Sequence, residues 1–233
     1  MSLRSKKIVF FTLWGLVLLV GPYTVYKNSA IELVLKDQVL LANFFQRIFG
    51  LAAFTLIFYQ IILGSLMTKL TEKLGSWIYK LHVTQGIFVY LLVFLHPLSY
   101  VFINYKIKGV IDPFYVFTQV CIYCKDSLEF LLTLGRGAFW LLTLAVIAAK
   151  FRTSPLLRVH WRKFHVVNYA VFFFVVFHSR GVGSDVSSTP FSWLYYGAIG
   201  VILLTILIRI VRYFGLERVY QVINVRLKNT RNA

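Results

Sequence analysis

Apolar residues run along this chain in long unbroken stretches, separated by short segments that collect the charges. A stretch of roughly 17 or more apolar residues is long enough to span a hydrocarbon core as a helix. Six such spans are predicted: Ile8 to Tyr26, Phe44 to Met67, Ile78 to Ile103, Ser127 to Ala149, Lys163 to Ser179 and Phe191 to Val211. Helices are the default for runs of this kind, because each backbone polar group must find its partner inside the segment. A β-barrel would need short alternating segments, and these runs do not alternate. The pattern therefore predicts an all-α, polytopic six-helix membrane bundle.

Composition agrees with the pattern. Of 233 residues, 59% are hydrophobic and 14% charged, which leaves little polar surface for a soluble domain. The N-terminal apolar run follows Arg4, Lys6 and Lys7, as in a signal peptide, but it is long and lacks a small-residue cleavage site, so a retained first helix is expected.

The formal net charge of +17 would suggest nucleic acid in a soluble protein. Here it reads as topology, since basic loops stay on the cytoplasmic side. With a cytoplasmic N-terminus, inner loops and ends hold 17 of the 25 basic residues, beside only Glu72 and Glu217. The outer side holds the other 8 basic residues and 6 acidic ones. Both termini are expected in the cytoplasm of a prokaryotic inner or plasma membrane, with the lipid bilayer as a partner and no nucleic acid.

Four of the five histidines fall on two predicted helices: His82 and His96 on the third, His165 and His178 on the fifth. Imidazole inside a membrane is costly unless partnered, and axial ligation of heme iron is one partnership that suits it. At about 1.5 Å per residue, the two pairs are offset in depth by about 21 Å and about 19.5 Å. Both helices run from inside to outside, so His82 lies level with His165 and His96 with His178. Each level offers the two imidazoles that a six-coordinate heme needs, and two hemes stacked between helices three and five are expected. At about 3.6 residues per turn, His165 and His178 point roughly 140° apart, so helix five should be irregular between them. His160 is the rival inner ligand. It shares a face with His178 but sits too deep in offset to match helix three, and an interfacial position is expected for it.

The His-x13-His and His-x12-His spacing resembles that of the ferric reductase-like transmembrane domain, shared by ferric reductases and NADPH oxidases. Arg47-Ile48-Phe49-Gly50, Gly75-Ser76-Trp77-Ile78-Tyr79-Lys80-Leu81-His82, His96-Pro97, Gly135-Arg136 and Trp161-Arg162-Lys163-Phe164-His165 add to the likeness, which covers about residues 40 to 215. The resemblance implies two b-type hemes with the four histidines as axial ligands. It also implies electron flow from a cytoplasmic donor to an external acceptor: ferric iron, oxygen or a periplasmic redox protein. Residues 1–215 would form the heme domain. Residues 216–233 read as a basic cytoplasmic tail, or as a remnant or first strand of a flavin domain. No Gly-rich dinucleotide fingerprint follows helix six, so no flavin or nicotinamide site is expected in this chain. A separate flavoprotein, iron–sulfur protein or quinol would donate. Family branches without the flavin domain include the membrane heme subunit of the periplasmic methionine sulfoxide reductase system, which this chain resembles in size.

Supporting positions carry two readings each. Gly86, one turn after His82, would let a porphyrin approach the backbone or would serve close helix packing. Arg47 and Arg180 would pair with outer heme propionates or snorkel to headgroups. Arg162 and Lys163 would pair with inner propionates or simply mark the cytoplasmic side. Cys121 and Cys124, as Cys-Ile-Tyr-Cys in the long outer loop, would form a structural disulfide or a working thiol–disulfide pair. Two other functional classes stay open: a non-catalytic heme-binding subunit serving a separate oxidoreductase, and a channel whose histidines relay protons.

Overall fold

A computed structural model describes residues 2–155, 157–213 and 215, and the side chains of 162, 212 and 213 are left aside. Among the described residues the chain forms ten helices and no strand: α1 (Leu3–Lys27), α2 (Ile31–Val34), α3 (Gln38–Ser65), α4 (Met67–Leu74), α5 (Trp77–Lys108), α6 (Pro113–Phe117), α7 (Ser127–Lys150), α8 (Trp161–Val166), α9 (Asn168–Val182) and α10 (Phe191–Tyr213). The basic tail, 216–233, lies outside the described residues.

Five of these helices, α1, α3, α5, α7 and α10, are long and apolar enough to cross a membrane. The sixth expected span is not one helix. Lys163 to Ser179 is divided between α8 and the fifteen-residue α9, which meet at Val167. The interruption falls between His165 and His178, where an unbroken helix would turn the two rings apart.

Local chemistry sets the ends. Asp37 caps α3, accepting from the N–H groups of Val39 and Leu40 at 2.7 and 3.0 Å, so this helix starts before the apolar run does. Asp126 caps α7 through the N–H of Glu129. Gly109, with φ +70°, closes α5 in the left-handed conformation that favours glycine. The long outer loop is shorter than its polar pattern suggests, because α5 continues to Lys108 and α6 packs back: Phe117 stacks on Phe94 and lies against Phe139.

α3 is the central helix. It packs on α1, α5, α9 and α10, and α7 packs on α8 and α9. Phe54 of α3 meets Phe172, Phe191 and Tyr195 at ring distances of 5.3 to 5.7 Å, joining α3, α9 and α10. The outer helices show large apolar side chains to their surroundings, such as Leu16 at 59% and Ile87 at 69% exposure. In water such surface would be an association hazard; in a bilayer it is the solvent-facing side. The architecture fits a multi-pass membrane protein.

Candidate functional site

The four helix histidines meet in two pairs. The rings of His82 and His165 lie 6.0 Å apart, centre to centre, and those of His96 and His178 lie 6.3 Å apart. The order of the pairs makes α5 and the α8–α9 segment parallel. His160, which precedes α8, is exposed and joins neither pair.

The upper pair is oriented by backbone. His96 Nδ1 donates to the carbonyl of Gln46 on α3, and His178 Nδ1 donates to the carbonyl of Leu131 on α7, each at 2.9 Å. Each Nδ1 thereby carries the proton, and each Nε2 keeps its lone pair, the arrangement that prepares imidazole as a metal ligand. In the lower pair, the Nδ1 atoms of His82 and His165 are buried with no hydrogen-bond partner among the described residues. Unpaired buried polar atoms are costly, so the lower rings lack the backbone anchors that turn the upper pair.

Glycines make room for the rings. A methyl group on Gly135 would lie 2.7 Å from His178 Nδ1, one on Gly50 3.0 Å from His96 Cε1, and one on Gly64 3.5 Å from His82 Cε1. Gly86 faces the Gln60 amide, whose Nε2 donates to the His82 carbonyl at 2.7 Å, and not a histidine ring.

Each level opens on a cavity. The upper one, about 500 Å³, is lined by Gly50, His96, Gly135, His178, Arg47 and Asp185 among others. The lower one, about 250 Å³, lies beside His165 and is bordered by Gln60, Gly64, Trp161, Asn168, Tyr169 and Arg209.

The residues present fit heme. With about 2 Å from iron to each imidazole nitrogen and about 1 Å more to each ring centre, two axial imidazoles hold their centres about 6 Å apart. Both pairs stand at that separation, with the glycines and the upper cavity beside them. Among the described residues no three His, Cys, Asp or Glu side chains converge on one point.

Arg47 lines the upper cavity, but its fork is taken by Asp185: Nε donates to Oδ2 and Nη2 to Oδ1, both at 2.6 Å. Asn28 and Ser184 also donate to this carboxylate, and Arg47 reaches Ser29 at 3.2 Å. Burial pushes the Asp185 carboxyl up, but the hydrogen bonds from Arg47 and Asn28 and the charge of Arg47 outweigh it, holding the group below the usual carboxylate range. Arg180 donates to Ser187 at 2.7 Å. Asp185 was missed in the sequence, where a lone acid after Gly-Val-Gly-Ser reads as a loop residue. Gly50 and Gly135 were visible only as parts of motifs. Cys121 and Cys124 are joined as a disulfide.

The chain matches no protein-family model, no curated protein and no solved structure.

Proposed function

We propose that this chain is a transmembrane electron-transfer oxidoreductase holding two b-type hemes, one at each histidine level. The observation that carries the reading is the pairing of His82 with His165 and of His96 with His178 at ring distances of 6.0 and 6.3 Å. The likeness of the motifs to ferric reductase-like domains supports the same assignment. Heme supplies reversible one-electron chemistry when bound.

The chain's own residues determine where that chemistry sits. His82 and His165 hold the level flanked by Lys80 and Lys163, the basic end, which the charge bias assigns to the cytoplasm. His96 and His178 hold the opposite level, their rings turned by the carbonyls of Gln46 and Leu131. Fourteen residue steps along α5 separate the two levels, about 21 Å along the axis, which is most of a hydrocarbon core. The donor is a separate cytoplasmic flavoprotein or iron–sulfur protein, or a quinol. The acceptor is external: ferric iron, oxygen or a periplasmic redox protein.

The test is pyridine hemochrome analysis of the purified chain, with about two b hemes per chain expected. A protein that carries none after heme-replete expression overturns the reading. Vesicles then separate electron carriage from a heme-binding anchor: absorption changes on adding an inside donor must be reversed by an impermeant outside oxidant.

A further inference from the structure

The Cys121–Cys124 disulfide sits at the end of the molecule that carries the His96–His178 pair. Thr133 Oγ1 lies 3.1 Å from Cys121 Sγ and accepts the Cys121 N–H at 3.2 Å. Thr133 is two residues from Leu131, whose carbonyl holds His178, and two from Gly135, which faces the same ring. Between the two cysteines, Ile122 and Tyr123 stand 87% and 95% exposed.

A structural staple explains little here. A ring closed by cysteines three positions apart removes little chain entropy, since that term grows with loop length. The neighbouring backbone is already tied without it: Asp126 accepts from the Glu129 N–H at 2.7 Å, and the Glu129 carboxylate accepts from the Lys125 N–H at 3.0 Å. An exposed aromatic–aliphatic tip between two sulfurs is instead the shape of a contact point for an incoming chain.

We propose that Cys121–Cys124 is a thiol–disulfide exchange site for a dithiol/disulfide protein approaching the His96–His178 end. The Thr133 hydroxyl accepts from the Cys121 N–H, so its own hydrogen is free for Cys121 Sγ, which makes Cys121 the better leaving thiolate. A partner thiolate attacks Cys124 Sγ, the S–S bond breaks, and its electron pair leaves on Cys121 Sγ, which takes a proton from water. The partner's second thiolate then attacks the partner sulfur of the mixed disulfide and displaces Cys124, which is protonated in turn. The partner ends as a disulfide and the Cys121–Cys124 pair gains two electrons and two protons. The reverse sequence reduces a partner disulfide. None of these steps depends on the heme reading, and hemochrome analysis tests that reading separately.

The experiment uses the full-length chain in detergent, equilibrated in glutathione redox buffers, quenched by alkylation and read by mass spectrometry, with circular dichroism in parallel. The disulfide should reduce and reoxidise reversibly with helix content unchanged. A disulfide that stays oxidised across the series, or reduces only as helix is lost, overturns the proposal. Peptide mapping of the glutathione adduct should place glutathione on Cys124 and the alkyl group on Cys121, and the reverse placement overturns the assignment of the leaving sulfur. Thr133→Val should slow reduction about fivefold, the kinetic equivalent of one hydrogen bond. An unchanged rate removes Thr133 from the site.

Discussion

His178 lies directly against Gly135: a methyl group on that glycine would stand 2.7 Å from His178 Nδ1, closer than side-chain carbons approach one another or a ring. The contact rests on backbone on one side and on an imidazole held by the Leu131 carbonyl on the other. Neither can yield without moving the ring. Gly135→Ala should therefore empty the upper level, leaving about one heme per chain by hemochrome analysis. Gly64→Ala is the contrast, because its methyl group would sit 3.5 Å from His82, an ordinary contact. That variant should keep about two hemes per chain. Equal heme content in the two variants would break the link between glycine spacing and ring position.

The ring pairs also predict which substitutions are redundant. On the proposed function, His96→Ala and His178→Ala should each abolish the same redox transition, and the double variant should lose no more than either single one, because the two rings face each other at 6.3 Å. The same holds for His82→Ala with His165→Ala. Potentiometric titration reads this directly. Additive losses within a pair, or redundancy between His82 and His178, would contradict the geometry.

Asp185, 3% exposed, and Arg47 form a bidentate pair that joins α3 to the segment before α10, with Asn28 tying in the end of α1. Asp185→Ala leaves the Arg47 guanidinium unpaired beside the cavity. The cost should be about 3 kcal/mol, the lower end for broken buried pairs, because Arg47 is partly exposed. Thermal unfolding in detergent measures it.

The same pair sets a pH dependence. The folded-state value of the Asp185 carboxyl is depressed, so its contribution is fully present above the unfolded value of about 4 and is lost as pH falls through the folded value. The Tm advantage of the native protein over Asp185→Asn should stay constant from pH 7 to about 5 and shrink below about 4. A gap that widens in acid would reverse the assigned sign.

Trp14 Nε1 donates to Gln85 Oε1 at 2.9 Å, and Gln85 Nε2 donates to the Leu56 carbonyl at 3.1 Å, so one buried amide ties α1, α5 and α3 together. Gln85 is 2% exposed. Gln85→Leu keeps the volume but strands the indole N–H, at a cost of roughly 1–3 kcal/mol. Trp14→Phe in the same background should recover part of that loss in thermal melts, since it removes the orphaned donor.

Much of the site was legible before folding was considered. The nearly matching depth offsets of the two histidine pairs specified which rings meet, because rise per residue is a property of any helix. The mismatch in angle between His165 and His178 pointed to a break in their segment, and the chain turns from α8 to α9 at Val167. The division of the sixth run into α8 and α9 did not show in its composition, because a broken segment and a continuous helix have the same apolar content. Asp185 and the Cys121–Thr133 contact were not legible, because their partners lie 138 and 12 residues away and no periodicity connects them.

By itself the sequence determined the class of the molecule, the helical character of its long runs and the register of its histidines. These follow from runs long enough to cross a hydrocarbon core, backbone groups that must be paired within them, and a fixed rise per residue. Only the tertiary structure decided which face of each helix turns inward. In a soluble helix the polar face announces itself; here lipid-facing and core-facing positions are both apolar, so the pattern carries no rotation. That is why Gly135 and Gly50, and not Gly86, lie against the rings, and why Arg47 answers to Asp185.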